Sequence, residues 1–334
     1  MPEAVVSWVA VVAGSAGLSA GLILLLKPLL VRYLLARPNS LSSHSTATPQ
    51  GAGLAVMAAL LVMCGGALLL GVAPPPPSLL PVLAGIAFLT VLGGLDDARA
   101  LPVSWRFIGQ TLAALLVVLT LPSGFRLIEF LPLGLERVLM VLGVVWFVNA
   151  INFLDGLDWM TVAQVVPMAL GVAILQSLGV VPPSIGLLAL ALLGAMLGFA
   201  VFNKHPAQVF LGDAGSLPIG LCLAYLLIYV AEAHLVSGLL LALYSLADSM
   251  ITLCRRMLDG EPILSGHRRH FYQRAAALGL AAPQVTARVF ALGLLLMVLA
   301  IAAALAKSLA ADCLLLALGA GATVFVLFNF SRGR

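Results

Sequence analysis

Apolar stretches of about 17 to 25 residues recur along almost the whole chain, and each is long enough to cross the hydrocarbon core of a bilayer as an α-helix. Of the 334 residues, 62% are hydrophobic and only 9% are charged, and the mean hydropathy is +1.15. So few polar side chains could not cover this apolar surface in water. The sequence therefore predicts an all-α, polytopic integral membrane protein that forms a single transmembrane domain over residues 1–334.

Hydropathy predicts ten or eleven membrane-spanning helices. We place them near residues 4–26, 52–72, 79–95, 107–122, 137–153, 160–178, 184–202, 215–233, 237–254, 286–306 and 311–330. With the N-terminus outside, the inner loops fall near residues 27–51, 96–106, 154–160, 203–214 and 255–285. Fourteen of the 17 Lys and Arg residues then lie inside, and only Arg126, Arg137 and Lys307 lie outside. This is the positive-inside bias of a correctly oriented membrane protein, so the basic pI is no argument for a nucleic-acid partner.

The aspartates of the inner loops indicate one shared site. Asp96 and Asp97, then Asp155 and Asp158, then Asp213 come from three separate loops on the same side of the membrane. Because carboxylates at the membrane are costly unless they face a cavity or a partner, we expect them to converge at the inner mouth of the helix bundle.

Two of these stretches suggest a metal and a phosphate. The adjacent carboxylates in "GGLDDARALPVSWR" (93–106) repel each other unless a cation lies nearby, and Mg²⁺, with Mn²⁺ as the alternative, suits oxygen ligands. In "FNKHPAQVFLGDAGS" (202–216), Asp213 precedes a predicted span. The small residues around it are expected to expose backbone N–H groups at a helix N-terminus, where phosphate binds well. We interpret His205 as an ordinary loop residue.

The stretch "NAINFLDGLD" (149–158) places polar residues three positions apart, beside an apolar run. Steps of three keep Asn149 and Asn152 on one helical face, and Gly156 allows the helix to loosen so that Asp155 and Asp158 reach the rim. A seam of interhelical hydrogen bonds is the alternative, and it explains the two asparagines but not the two aspartates.

The stretch "SGHRRHFYQR" (265–274) is basic and lies in the longest inner loop. Arginine forks suit a diphosphate, whereas a basic run beside a membrane commonly binds anionic lipid headgroups. A zinc site formed by His267 and His270 is a third reading, although no cysteine lies nearby.

Taken together, the motifs resemble the polyprenyl-phosphate N-acetylhexosamine-1-phosphate transferases. The matching pieces are "LDD" (95–97), "NAINFLDGLD" (149–158), "FNKHPAQVFLGDAGS" (202–216), "GHRRH" (266–270) and, more weakly, "PNSLSSHSTATPQGAGLA" (38–55). They occur in family order, each in an inner loop. The resemblance implies a helical membrane fold with a cytoplasmic active site, located in the bacterial inner membrane. It also implies Mg²⁺-dependent transfer of a sugar 1-phosphate from a UDP-N-acetylhexosamine to undecaprenyl phosphate, with release of UMP. Relatives are often dimers, and the sequence leaves a homodimer open.

The resemblance also implies residue roles. We assign catalytic roles to Asp96, Asp97, Asp155 and His267, and metal binding to Asp213 and Asp97. We assign substrate binding to Asn149, Asn152, Asp158, Asn203, Phe210, Arg268, Arg269 and His270. Within that set, Phe210 is expected to contact the uracil and Asp158 the nucleoside, while Arg268, Arg269 and His267 offset the charge of the diphosphate.

Departures from the family pattern refine the prediction. Leu41 and Gln50 stand where relatives often carry arginine, which leaves the role of the first inner loop open. The "HRRH" motif lacks the three-histidine cluster of the peptidoglycan translocase and looks most like the branch that initiates O-antigen. We therefore expect UDP-GlcNAc, UDP-QuiNAc or UDP-FucNAc as the donor, with a muramyl-pentapeptide donor as the alternative. Direct attack by the lipid phosphate is favoured over a covalent aspartyl intermediate. An ion-coupled transporter is the rival class, but its acids would lie near the midplane in repeated halves.

Overall fold

The computed structural model describes residues 2–36, 47–262 and 267–334, with side chains described from Trp8 onward. Leu41, one of the two positions where the sequence departs from the family pattern, lies outside the described residues. Within these ranges the chain forms twelve helices and one two-stranded sheet. The helices are α1 (Pro2–Tyr33), α2 (Gly53–Leu69), α3 (Leu79–Ala98), α4 (Val103–Leu119), α5 (Leu133–Phe153), α6 (Met160–Ser177), α7 (Pro183–Asn203), α8 (Asp213–Ala233), α9 (Leu235–Leu258), α10 (Phe271–Ala277), α11 (Ala282–Ala306) and α12 (Leu309–Ser331). The strands are β1 (Leu35–Ala36) and β2 (Thr48–Pro49).

The protein is an all-α polytopic membrane protein, as the sequence predicts. In the described part of the chain, nine helices are long and apolar enough to cross a membrane, and the apolar helices α2 and α4 are slightly shorter. Together they correspond to the eleven predicted spans. The first boundary is wrong: α1 continues past residue 26 to Tyr33, so Lys27 and Arg32 belong to the helix. The apolar run resumes after Lys27, and a lysine near a helix end can extend its charged head to the interface.

Helix α8 lies at the centre of the bundle and is the most enclosed of the membrane-crossing helices, while α1 and α12 are the least enclosed. It packs against α2, α3, α5 and α9. A helix that is apolar on every face is expected to be buried on every face. Because α8 is held on all sides, the residues at its N-terminus have fixed neighbours, and the site is built around them.

One end of the bundle gathers the C-terminal ends of α1, α3, α5, α7, α9 and α12 with the N-terminus of α8, and we call it the basic end. Side chains at the ends of α3 and α5, Asp97 and Asn152, bond to Asp213 at the start of α8. Strands β1 and β2 pair antiparallel beside them, and Pro49 O accepts a hydrogen bond from Phe210 N at 2.8 Å. The fold thus brings the predicted inner loops together.

Candidate active site

Asp97 joins α3 to the first turn of α8. Its Oδ1 accepts a hydrogen bond from the backbone N–H of Asp213 at 2.9 Å, and its Oδ2 accepts one from Ala214 at 3.1 Å. A carboxylate at this position satisfies unpaired N–H groups and interacts favourably with the helix dipole. The preceding Gly212 has φ 74°, and a Cβ there would lie 2.4 Å from Asp97 Oδ2. Glycine is therefore required for the carboxylate to reach the helix.

This arrangement overturns the expectation that the α8 N-terminus offers free N–H groups to a phosphate. The N–H groups of Asp213 and Ala214 are bonded to Asp97, and those of Gly215 and Ser216 both reach Gly212 O at 3.0 Å. A side chain of the same protein thus takes the place that a phosphate would take at an open helix end. A phosphate in this region must be held by side chains or by a bound cation.

Arg106, in the first turn of α4, lies between two carboxylates from different helices. Its NH1 is 3.1 Å from Asp96 Oδ2 and 3.4 Å from Asp213 Oδ2. The other oxygen of Asp96 accepts a hydrogen bond from Leu101 N at 2.5 Å. Sequence reasoning missed Arg106, although it closes the same motif that begins with the paired aspartates. The two carboxylates converge on a position that already attracts a cation.

These carboxylates form a donor set that suits Mg²⁺ better than zinc. Mg²⁺ commonly takes one or two protein carboxylates and completes its shell with water and substrate phosphate. A structural zinc site needs four protein ligands. Among the described residues, no group of three or more His, Cys, Asp or Glu side chains is arranged to hold a metal ion. Asp213 and Asp96, which both lie beside Arg106, could hold such an ion together with water and substrate. Asp97, which we assigned as a metal ligand beside Asp213, uses both carboxylate oxygens to accept backbone N–H groups of α8 and is replaced in this role by Asp96.

The two asparagines of the stretch 149–158 have different partners. Asn152 Nδ2 donates to Asp213 Oδ1 and to Ser216 Oγ, both at 2.8 Å, which fixes the orientation of the predicted metal ligand. Asn149 is buried, and its Nδ2 donates to Gln110 Oε1 at 2.5 Å and to Val145 O at 2.8 Å. Asn152 thus belongs to the site. Asn149 instead forms an interhelical hydrogen bond to Gln110, as the alternative interpretation of this stretch predicts.

Asp155 lies in the loop that follows α5. The helix ends at Phe153, so the chain leaves the helix before Gly156 and carries Asp155 toward the α8 N-terminus. Thr161 Oγ1 donates a hydrogen bond to Asp155 Oδ1. Burial raises the pKa of Asp155 from 3.8 to about 6, the Thr161 hydrogen bond opposes this shift, and the negative charge of Asp97 adds to it. Asp155 is therefore a weaker acid than a free aspartate, which suits a proton acceptor near neutral pH.

Asp158 and Asn203 form hydrogen bonds that connect the segment following α5 to the end of α7 and the segment after it. Asp158 Oδ2 accepts a hydrogen bond from Ala207 N at 3.1 Å and lies 2.6 Å from His205 Nδ1. Asn203 Oδ1 accepts a hydrogen bond from Trp159 N at 2.7 Å, and its Nδ2 donates to Val209 O at 3.0 Å. His205 thus partners a predicted nucleoside-binding residue, a role that we did not expect of it.

A cavity of about 560 Å³ opens among these residues, within the usual range of about 300–1,000 Å³ for ligand sites. It is lined by seven predicted site residues: Asp97, Asn152, Asp155, Asp158, Asn203, Phe210 and Asp213. It is also lined by Thr48, Gln50, His205 and Gln273. Gln50, one of the departures noted above, donates to Asp97 O at 3.4 Å. The predicted convergence of Asp97, Asp155 and Asp213 is therefore present.

The HRRH segment lies apart from this cavity. His270 is 3% exposed, and its Nδ1 is 3.0 Å from Oδ1 of Asp248, a fully buried residue of α9. The same oxygen accepts a hydrogen bond from Phe271 N at 3.1 Å. The sequence analysis did not predict this contact between His270 and Asp248. Tyr272 Oη then donates to Phe153 O at 2.9 Å, which connects α10 to the end of α5.

The other members of the segment also lie outside the cavity lining. The rings of His267 and His270 are 4.9 Å apart. Burial, and after it the electrostatic effect of the neighbouring His270, Arg256 and Arg269, lowers the pKa of His267 to about 4. His267 is therefore neutral at pH 7 and does not supply the positive charge that we expected it to provide for the diphosphate. Arg269 pairs with Asp259 at 2.5 Å and Glu261 at 3.0 Å. In the described part of the chain, His267, Arg268, Arg269 and His270 do not line the 560 Å³ cavity.

Comparison with known proteins places the matched region over this site. A family model described as glycosyl transferase family 4 matches residues 79–231, which contain all five aspartates of the predicted site. A probable undecaprenyl-phosphate N-acetylglucosaminyl 1-phosphate transferase of Bacillus subtilis (strain 168) is 28% identical over 256 residues, covering 73% of this chain and 70% of the relative.

Two further relatives differ in the substrate that their names give. A phospho-N-acetylmuramoyl-pentapeptide-transferase of Synechococcus sp. (strain RCC307) is 35% identical over 234 residues, covering 61% of each chain. A decaprenyl-phosphate N-acetylglucosaminephosphotransferase of Mycobacterium leprae (strain TN) is 28% identical over 284 residues, covering 73% of this chain and 70% of the relative. The similarity therefore spans more than half of this chain in all three cases.

Proposed function

Since the chain belongs to the polyprenyl-phosphate N-acetylhexosamine-1-phosphate transferase family, we propose that it transfers an N-acetylhexosamine 1-phosphate from a UDP-sugar to undecaprenyl phosphate and releases UMP. The observation that carries the proposal is the single cavity lined by Asp97, Asp155, Asp158 and Asp213. We propose UDP-GlcNAc, UDP-QuiNAc or UDP-FucNAc as the donor and O-antigen assembly as the purpose.

The diphosphate of the donor would lie near Asp213, which lines the 560 Å³ cavity and is 3.4 Å from Arg106. Among the described residues, Asp96 and Arg106 contact this site without lining the cavity. Phosphoryl transfer asks chiefly for positioning and for stabilisation of negative charge. Mg²⁺, when bound by Asp213 with Asp96, would neutralise charge on the diphosphate. Arg106 lies against both carboxylates, so its guanidinium would also stand beside the diphosphate and donate charge-assisted hydrogen bonds to it.

The nucleoside would occupy the other part of the same cavity, near Phe210 and Asp158. Both residues line it, and Asp158 is held by His205 and Ala207 N. An aromatic ring offers a stacking surface to uracil, and a carboxylate can accept hydrogen bonds from the nucleoside. These contacts would hold UMP, the leaving group, beside Phe210 and Asp158.

We favour direct attack by the lipid phosphate. A phosphate monoester has a second pKa near 6, so the acceptor is mostly dianionic at pH 7. One of its oxygens bonds to the sugar-bearing phosphorus, the bond from that phosphorus to the bridging oxygen breaks, and UMP leaves with the bridging oxygen. Both oxygens of Asp97 already accept hydrogen bonds from α8, which argues against Asp97 as a covalent nucleophile. Asp155, with its raised pKa, would take the proton from any monoanionic acceptor.

The isoprenoid tail would lie against an apolar groove of about 290 Å³ formed by α5, α8 and α9. Leu139, Phe147 and Leu227 are among its lining residues, and α5 continues from this groove to Asn152 at the site. An apolar groove beside the bilayer needs no hydrogen-bonding partner for a hydrocarbon chain. The positive-inside bias supports a location of the basic end, and with it the reaction, at the cytoplasmic face of a bacterial inner membrane.

The Synechococcus relative supports a second donor, UDP-N-acetylmuramoyl-pentapeptide. The HRRH motif differs from the three-histidine cluster that we associate with that activity, so we rank this donor below the amino sugars. Both donors share the chemistry of the site and differ only in the sugar end.

One assay distinguishes these possibilities. Membranes that contain the protein are incubated with undecaprenyl phosphate and with each of the four UDP-sugars, labelled with ³²P at the sugar-bearing phosphate. We expect label in a butanol-extractable lipid, and an equal amount of UMP, from one of the three amino-sugar donors. Label only from the muramoyl-pentapeptide donor would support the second candidate. Absence of lipid-linked label with all four donors would overturn the proposed function.

A further inference from the structure

A second cavity, of about 620 Å³, lies at the basic end between α9, α10 and α12. Arg255, Arg269 and Arg274 line it together with Asp259, Leu258 and Ser331. Among the described residues, none lines both this cavity and the 560 Å³ cavity. It is therefore a separate space, and the proposed reaction does not use it.

The charge of this cavity is positive and only partly compensated. Arg269 is paired with Asp259 at 2.5 Å and with Glu261 at 3.0 Å, so the one carboxylate in the lining is neutralised. In the described ranges, neither Arg255 nor Arg274 is paired with a carboxylate. Arg255 is held instead over the ring of Phe271, 4.6 Å from its centroid. Two guanidinium groups remain to bind an anion.

The position of the cavity indicates which anion. It lies where two membrane-crossing helices, α9 and α12, end side by side, and Leu258 at its edge is 88% exposed. Phe328, one turn before Ser331, is also exposed and carries the guanidinium of Arg332 on its ring at 4.0 Å. Apolar surface directly beside the arginines suits a ligand that has a phosphate and acyl chains.

We propose that this cavity binds the phosphate headgroup of an anionic phospholipid of the adjacent leaflet, with Arg255 and Arg274 as the phosphate ligands. Basic pockets between the inner ends of membrane helices are suited to such headgroups. Arginine is the better choice for this task than lysine, because its planar fork can donate two hydrogen bonds to one phosphate. The bound lipid would contact the ends of both α9 and α12 at the basic end, and it would not take part in the transfer reaction.

Lipid binding can be measured on the full-length protein without an activity assay. Protein purified in a neutral detergent is mixed with equal amounts of phosphatidylglycerol and phosphatidylcholine, and the retained lipids are counted by native mass spectrometry. Each arginine beside an anionic surface contributes about 5-fold, so we expect the two arginines to give phosphatidylglycerol a preference of about 25-fold. Arg255→Gln and Arg274→Gln should each lower the preference about 5-fold, and the double variant should remove it.

Arg32→Gln is the matched control, because Arg32 also lies near an aromatic ring, 5.2 Å from the centroid of Tyr33, at the same end of the bundle. It should leave the preference unchanged. Equal retention of the two lipids by the wild type, or a preference that survives in the double variant, would overturn the proposal. Inorganic phosphate in tenfold excess should not displace phosphatidylglycerol, and displacement would show that the cavity holds a free anion instead of a lipid.

A variant that retains the charge covers the case in which the double glutamine variant does not fold. Arg255→Lys with Arg274→Lys should retain most of the preference for phosphatidylglycerol, and 0.5 M salt should remove that preference from the wild type by screening. A preference that is insensitive to salt in the wild type would contradict an electrostatic headgroup site.

Discussion

The contact between α3 and the first turn of α8 leaves no room for a side chain at Gly93, next to the site. A Cβ at Gly93 would lie 2.1 Å from the carbonyl oxygen of Asp213 and 2.3 Å from its carbonyl carbon. These are backbone atoms, so no flexible side chain can yield. The two helices would have to separate by about 1 Å to restore ordinary van der Waals contact.

This separation would act directly on the site. Asp97 is four residues after Gly93 and so lies on the same face of α3, where its carboxylate bonds to Asp213 N and Ala214 N. A displacement of about 1 Å at a catalytic centre can cost on the order of 100-fold in rate. We therefore expect Gly93→Ala to lower transfer of the sugar phosphate by about 100-fold. Overpacking of about 1–3 kcal/mol would be offset in part by a gain of up to about 1 kcal/mol from the better helix former.

The adjacent Gly94 is the natural control. A Cβ there would meet Leu54 Cδ2 at 3.5 Å and Ala214 Cβ at 3.9 Å, which are ordinary contacts. Gly94→Ala should keep wild-type transfer and should be as stable as the wild type or slightly more so. Both variants are compared by the ³²P transfer assay and by thermal unfolding in detergent. A Gly93→Ala enzyme that works within about threefold of the wild type would refute the reasoning about this helix contact.

Three further substitutions test individual residues. Arg106→Gln removes the positive charge between Asp96 and Asp213, so the two carboxylates repel each other. Added Mg²⁺ should therefore raise the unfolding temperature of this variant more than that of the wild type. An equal rise in both proteins would contradict a cation position shared by Arg106 and Mg²⁺. Asn203→Ala leaves the backbone N–H of Trp159 without its acceptor and should cost about 1–3 kcal/mol of stability, with or without UMP; unchanged stability with weaker UMP binding would make Asn203 a substrate contact instead. Asp155→Asn removes an acid whose pKa is raised from 3.8 to about 6. In the wild type, the folded chain therefore binds the proton of Asp155 more tightly than the unfolded chain does. The contribution of Asp155 to wild-type stability consequently falls as pH rises from about 4 to about 6. The advantage of Asp155→Asn in unfolding temperature should grow between these pH values and then stay constant, and a difference independent of pH would argue against the raised pKa.

Hydropathy and charge were sufficient to predict the spans and the convergence of the aspartates. Both depend on the bilayer, which requires long apolar helices and gathers charged loops on one side, so little tertiary information is needed. The extension of α1 to Tyr33 escaped prediction because one lysine interrupts the apolar run without ending the helix. Hydropathy cannot distinguish a loop from a helix whose lysine reaches the interface.

The pairings inside the site were harder to predict, because they depend on which helix ends meet. "GDAGS" reads as a helix start with free N–H groups, and only the packing of α3 against α8 shows that Asp97 takes them. Arg106 is separated from Asp213 by more than one hundred residues of sequence, and their contact arises only where α4 meets α8. Similarly, a buried Asp248 in α9 explains why His270 turns away from the cavity.

The role of Asp213 tests the central claim most directly. Asp213→Asn keeps the size of the side chain and an acceptor for Asn152, but it removes the negative charge that would hold Mg²⁺ beside the diphosphate. With the labelled donor that the wild type uses, the variant should fold in detergent yet place almost no ³²P in the butanol-extractable lipid. Transfer at the wild-type rate by this variant would contradict a reaction built on a cation at Asp213.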